Sequence, residues 1–227
     1  MDNLKEQVKG FWEEGSCGEN LYLQAATAEG FRRQSEMRYK LEPYIEKFAT
    51  FAAYKAKKIL EIGLGLGVDH QCFAEAVVDV FGVDLTQRSV DFVSDRFKLY
   101  GLTSHLNRGD AEALEYPDNF FDLVYSWGVI HHSPNTQLAA EEILRVLKPG
   151  GEFKVMVYYK YSLVGFMLWL RYALLRGRPF VSLQQIYSQH LESPGTKAYT
   201  VKEAKALFAA ADIISTEVEL THADLLS

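Results

Sequence analysis

The spacing of apolar residues changes near residue 57. Before it, Leu4, Val8, Phe11 and Trp12 recur at helical intervals, a break falls at Gly15-Ser16, and a helix-rich stretch runs over residues 28–51. After it, short apolar runs alternate with amphipathic segments, beginning with Ile59-Leu60-Glu61-Ile62. Apolar runs of that length alternating with helices mark βα units around a mostly parallel sheet. Further strands are predicted at 77–83, around 105–107, and at 120–126, 153–158 and 213–220.

The helices between them carry readable ends. Thr86 caps a helix that shows Val90, Val93 and Phe97 on one face, and Gly101 stops it. Thr200 and Glu203 have the spacing of a capping box ahead of Leu207 and Phe208. Residues 162–175 are apolar nearly all round, which predicts a buried cap helix over a cleft; the stretch is too short to span a bilayer. The chain therefore divides into an N-terminal helical flap, 1–56, and an α/β core, 57–227, with a substrate-cap insertion at 159–199.

Composition narrows the partners. The 227 residues suffice for one substantial core. A formal net charge of -6 disfavours a broad nucleic-acid footprint. The two cysteines, Cys17 and Cys72, form neither a C-x-x-C motif nor a disulfide framework, and the first residues lack the pattern of a signal peptide, so a cytoplasmic setting is expected.

The chemistry is concentrated in five ordered motifs. Glu61-Ile62-Gly63-Leu64-Gly65-Leu66-Gly67 follows the first core strand and leads into a helix, where glycines let backbone approach a ligand. Val83-Asp84-Leu85 puts a carboxylate at the end of the next strand, beside that loop, where it can accept from both hydroxyls of a ribose or simply cap the following helix. Gly109-Asp110-Ala111-Glu112-Ala113-Leu114, Trp127-Gly128-Val129-Ile130-His131-His132 and Arg145-Val146-Leu147-Lys148-Pro149-Gly150-Gly151 complete the series. The glycines stand two apart, not in the G-x-G-x-x-G spacing of dinucleotide sites, and Glu61 suits a cationic ligand better than a pyrophosphate.

Over residues 57–158 this succession resembles the class I S-adenosylmethionine-dependent methyltransferases, in particular the small-molecule branch similar to the C-methyltransferases of quinone biosynthesis. The resemblance implies a Rossmann-like α/β sheet with helices on both faces and S-adenosylmethionine as cofactor. It places Glu61, Gly63, Gly65 and Gly67 on the methionine part, Asp84 and Leu85 on the ribose and beside the adenine, and Asp110 and Ala111 on the adenine. Trp127 and Gly128 would face the sulfonium. The family sheet has seven strands, and here the last is missing, so that a bare sheet edge invites a homodimer.

The implied reaction is methyl transfer to an oxygen, carbon or nitrogen of a small molecule. His131 is the candidate base or acceptor contact, with His132 behind it. Adjacent histidines without a third ligand at metal spacing predict no metal. Trp12, Tyr22, Tyr39, Tyr158, Tyr159, Tyr187, His190 and Tyr199 are candidates to line an acceptor pocket. Arg171, Arg176 and Arg178 around the apolar stretch would let residues 162–178 touch a lipid or membrane surface. A noncatalytic S-adenosylmethionine-binding protein and an NAD(P)-dependent oxidoreductase are the competing readings.

Overall fold

The computed structural model describes residues 2–19, 23, 25–76 and 79–221. Tyr22, and the first two residues of the strand predicted at 77–83, lie outside them. Among the described residues, three helices precede the sheet: α1 (Asp2–Glu14), α2 (Ala28–Leu41) and α3 (Tyr44–Ala49), followed by a 3-10 turn at Phe51–Tyr54. The βα units then run β1 (Lys58–Ile62), α4 (Val68–Ala76), β2 (Asp79–Asp84), α5 (Gln87–Tyr100), β3 (His105–Arg108) and β4 (Phe121–Trp127). After a 3-10 turn at Ile130–His132 come α6 (Thr136–Val146), β5 (Leu147–Met156), α7 (Leu163–Tyr172), α8 (Leu183–His190) and α9 (Val201–Leu207).

The five strands form one parallel sheet in the order β3-β2-β1-β4-β5. The order reverses between β1 and β4, and ligand crevices open at such a reversal, beyond the carboxyl ends of the strands. β1 is central and buried on both faces, which explains why its apolar run is broken only by the buried Glu61. One core layer packs Leu60, Ile62, Val124, Ile130 and Ile143; another packs Ile59, Phe73, Val80 and Tyr125.

The local signals act as their chemistry requires. The Thr86 hydroxyl accepts from Ser89 N–H, and Gly101 ends α5 at φ 64°. Thr200 and Glu203 form the capping box of α9, and a second box, Ser182 with Gln185, starts α8. β5 begins earlier than residue 153, because Leu147 pairs with Phe121 before a register shift brings Glu152 opposite Leu123.

Two expectations fail. Residues 213–220 form no strand; they run unpaired, with Ile213 86% exposed, along the rim of the main cavity. Only Ile214 of this stretch joins the core, and that single anchor does not bind a strand to the sheet. The apolar helix α7 is not a buried cap either. Gly165 is its one buried residue, while Phe166 is 58% exposed.

Candidate functional site

The glycine loop after β1 is shaped by three residues in the left-handed region, Gly63, Gly65 and Gly67, at φ 83°, 50° and 72°. A Cβ on Gly63 would fall 2.1 Å from Val129 Cγ2, and one on Gly67 would fall 2.7 Å from Val93 Cγ2. Gly65 has no atom within 4 Å of its Cβ position, so its left-handed backbone and not packing calls for glycine there. Close packing sets the outer two glycines, and backbone conformation sets the middle one.

Asp84, at the end of β2, holds the loop in place. Its Oδ2 accepts from Leu64 N–H at 2.8 Å and Gly65 N–H at 3.3 Å, and its Oδ1 accepts from the Thr86 N–H and hydroxyl at 2.9 and 2.7 Å. Burial raises its pKa against the pull of these donors. All four acceptor directions of the carboxylate are in use, so a ribose hydroxyl would share or displace one of them.

Beneath the loop, Glu61 is buried with its Oε2 3.0 Å from His70 Nδ1, and His70 Nε2 lies 2.8 Å from Ser104 Oγ. Ser104 donates its one hydroxyl proton to the Val80 carbonyl, so His70 Nε2–H must donate to Ser104. The Glu61–His70 contact then contains one proton, and the pair carries no net charge. Burial drives the Glu61 pKa well up and that of His70 down to about 3, which favours a neutral acid beside a neutral imidazole.

The flap clamps this assembly from outside. Asp69, in the first turn of α4, accepts from Arg38 and Tyr39 of α2 and from Tyr125 of β4. Arg96 has no exposed surface and makes no ion pair among the described residues; it donates to Leu66 C=O, Gln34, Gln71 and Ser35, and burial lowers its pKa to about 10. Lys5 of α1 reaches Asp110 at 2.5 Å and Glu112 at 2.7 Å. Sequence reasoning missed Lys5, Arg38 and Arg96, because each acts across a long sequence separation.

A single cavity of about 980 Å³ joins these parts. Glu61, Gly63, Gly65, Gly67, Asp84, Leu85, Asp110, Ala111, Trp127 and Gly128 all line it. Of the aromatic candidates, Trp12, Tyr158, Tyr159, Tyr187 and Tyr199 line it as well. Tyr39 is turned to Asp69, and His190 stacks on Tyr172.

The histidine pair divides its tasks. His131 has no exposed surface and lies behind the cavity wall, whereas His132 lines the cavity. His132 Nδ1 is held by Ser193 Oγ at 2.8 Å and Thr196 Oγ1 at 3.0 Å, and its Nε2 stands 3.3 Å from Glu192 Oε2. Tyr158 donates to that same oxygen at 2.7 Å. Glu192 follows α8 with φ 53°, a conformation uncommon outside glycine; burial pushes its pKa up, and contacts from His132, Tyr158 and Cys17 outweigh it and lower the pKa. No sequence signal pointed to Glu192.

Comparison with known proteins fits this geometry. The family described as "Methyltransferase domain" matches residues 60–155. That segment is a class I methyltransferase domain. Domains of this class take S-adenosylmethionine as methyl donor, and the open cradle at Gly65, the acceptor-rich loop and the size of the cavity fit such a molecule. The methyltransferase segment is 32% identical over 103 residues to the uncharacterized methyltransferase YcgJ of Bacillus subtilis, covering 45% of this chain and 41% of the relative. It is 32% identical over 118 residues to the fatty-acid O-methyltransferase of Mycolicibacterium smegmatis, covering 51% and 42%. The alignment thus spans less than half the length of either relative. The methyltransferase fold is also that of the PH0226 protein from Pyrococcus horikoshii, with a TM-score of 0.58 at 20% identity over 85% of this chain and 87% of that one.

Proposed function

We propose that the protein transfers a methyl group from S-adenosylmethionine to an oxygen, carbon or nitrogen of a small, hydrophobic, lipid-like molecule. The observation that carries this reading is the continuity of the cavity. It runs from the glycine loop, past Trp127 and Gly128, to an apolar wall that includes Tyr159, Leu163, Val164, Leu207 and Phe208. The fatty-acid substrate of the mycobacterial relative supports an acceptor of that kind.

S-adenosylmethionine supplies a methyl group on a sulfonium, and the protein's share of the work is alignment and exclusion of water. Glu61, Gly63, Gly65 and Gly67 would hold the methionine part. Asp84 and Leu85 would hold the ribose, and Asp110 and Ala111 the adenine, with Lys5 yielding Asp110 as the ligand enters. Trp127 and Gly128 border the reacting end. His132, with Glu192 and Tyr158, meets the acceptor; His131 acts from behind the wall.

Residues 159–181 contain Lys160, Arg171, Arg176 and Arg178 and no acidic residue, in a chain of net charge -6. With Leu175 75% and Phe180 99% exposed, this patch supports contact with an anionic lipid surface. Among the described residues no helix is long and apolar enough to cross a membrane. A cytoplasmic location is supported by the free thiols of Cys17 and Cys72.

Calorimetry with S-adenosylmethionine and with NAD, followed by S-adenosylhomocysteine release against a panel of fatty acids and sterols, tests the proposal. Binding of the first cofactor alone, with release stimulated by an apolar acceptor, is expected. A folded protein that does not bind S-adenosylmethionine would sink it. Binding without release across the panel would favour a noncatalytic role.

A further inference from the structure

We propose that His131, His132 and Glu192 form a binding site for a divalent transition-metal ion, with an open coordination position toward the cavity. The sequence shows only adjacent histidines, a spacing that suggests no metal; the fold supplies the third ligand from the loop after α8. One ligand atom from each residue lies within 4.8 Å of the others. The 3.3 Å between His132 Nε2 and Glu192 Oε2 matches the roughly 3.3 Å expected for two ligands about 2.0–2.1 Å from a tetrahedral ion.

The strongest sign is unmet bonding capacity. His131 has no exposed surface, yet neither of its ring nitrogens has a hydrogen-bond partner among the described residues, and His132 Nε2 has only its 3.3 Å contact with Glu192 Oε2. A buried imidazole with both nitrogens unmet is costly unless something binds it. His132 Nδ1 lies 2.8 Å from Ser193 Oγ and 3.0 Å from Thr196 Oγ1, whose own proton goes to the Ser193 carbonyl at 2.6 Å. With Nδ1–H donated to these oxygens, Nε2 would present a lone pair toward Glu192, and the two hydroxyls would orient the ring as outer hydrogen bonds orient metal-binding histidines.

The surroundings fit a cation. Glu192 contributes one negative charge; the Tyr158 hydroxyl is 2.7 Å from its Oε2, and Cys17 Sγ is 3.7 Å from its Oε1. The Lys197 ammonium, whose charge is felt at His131, donates to the Ser133 carbonyl at 2.5 Å. Two imidazoles and one carboxylate suit Zn²⁺, Co²⁺ or Fe²⁺ better than Ca²⁺ or Mg²⁺, which prefer oxygen sets. His132 and Glu192 line the cavity, so an acceptor hydroxyl or carboxylate would take the open position.

The test uses the whole chain, stripped with chelator and then titrated with Zn²⁺ by calorimetry and with Co²⁺ by visible absorption. One ion per chain is expected, with the absorption of four- or five-coordinate Co²⁺. Glu192→Gln and His131→Asn should each weaken binding by about tenfold or more while far-ultraviolet dichroism and S-adenosylmethionine binding persist. His190→Gln, remote from the site, should change nothing. Absence of stoichiometric binding at micromolar metal in the unaltered chain, or binding unaffected by both site variants, overturns the proposal. The metal's role rests on the acceptor reading above, but its stoichiometry is read without acceptor or cofactor, so either can fail alone.

Discussion

Gly63 and Gly65 share a left-handed backbone but face different neighbours, and their alanine variants should separate packing from binding. At Gly63 a methyl would strike Val129, so Gly63→Ala should cost about 2 kcal/mol or more of stability, with partial rescue by Val129→Ala. At Gly65 the methyl meets only the cavity, so the cost is backbone strain of about 1–2 kcal/mol, while S-adenosylmethionine affinity falls roughly tenfold or more. Thermal melts and calorimetry on the two proteins decide it; undiminished affinity in Gly65→Ala would show that the cradle does not hold the cofactor.

The Glu61–His70 pair gives a second prediction at the residue scale. Folded, the pair holds one titratable proton. In the unfolded chain, with ordinary values of 4.5 for Glu61 and 6.5 for His70, it holds two below pH 4.5, one between 4.5 and 6.5, and none above 6.5. Stability from this pair therefore rises with pH up to about 4.5, stays level to about 6.5, and then falls at about 1.4 kcal/mol per unit until the folded pair gives up its proton. Denaturant unfolding of the native chain and of Glu61→Gln, which holds no titratable proton beside neutral His70 when folded, across pH 4–9 measures it. If both lose stability equally above pH 6.5, the shared proton is not there.

Among the elements, α7 shows how far a local pattern can be read. Ser162 caps it, accepting from Gly165 N–H, and its helical state follows from composition and cap alone. Its environment does not. Gly165 lets α7 approach Tyr187 of α8 so closely that a Cβ there would lie 1.6 Å from the hydroxyl, and that contact leaves Phe166 and Met167 facing outward. An apolar sequence appropriate to burial is therefore presented to solvent. The exposed apolar positions nearby should tolerate charge: Leu175→Asp with Phe180→Asp should leave the melting temperature within about 2 °C, since surface changes cost at most about 0.5 kcal/mol. The same pair should abolish co-sedimentation with anionic vesicles, and wild-type protein that ignores such vesicles would remove the lipid contact altogether.

On the scale of the molecule, the sheet ends at β3 on one side and at β5 on the other. β5 has one ladder partner among the described residues, β4, and the segment that could have extended the sheet runs unpaired at the cavity rim. An edge of this kind can recruit a second copy, so we propose a homodimer joined along β5. Light scattering at rising concentration should show twice the chain mass, and a strand-breaking Val155→Pro variant that remains folded should return it to the monomer. A single-chain mass at every concentration would rule it out.

The sequence by itself determined the βα order, the helix caps and the ten positions around the glycine loop, because all of these depend on spacing within a few residues: helix period, strand length and the sign of φ at a turn. The turns after β1, β2 and β4 lie on adjacent strands, so correct local readings already implied a shared crevice. Tertiary structure alone decided that His132 and not His131 faces the cavity, that Glu192 joins them, that α1 and α2 clamp the loop through Lys5, Arg38 and Arg96, and that α7 is bare. Those outcomes depend on which distant surfaces meet, and contacts across long separations leave no period in the chain.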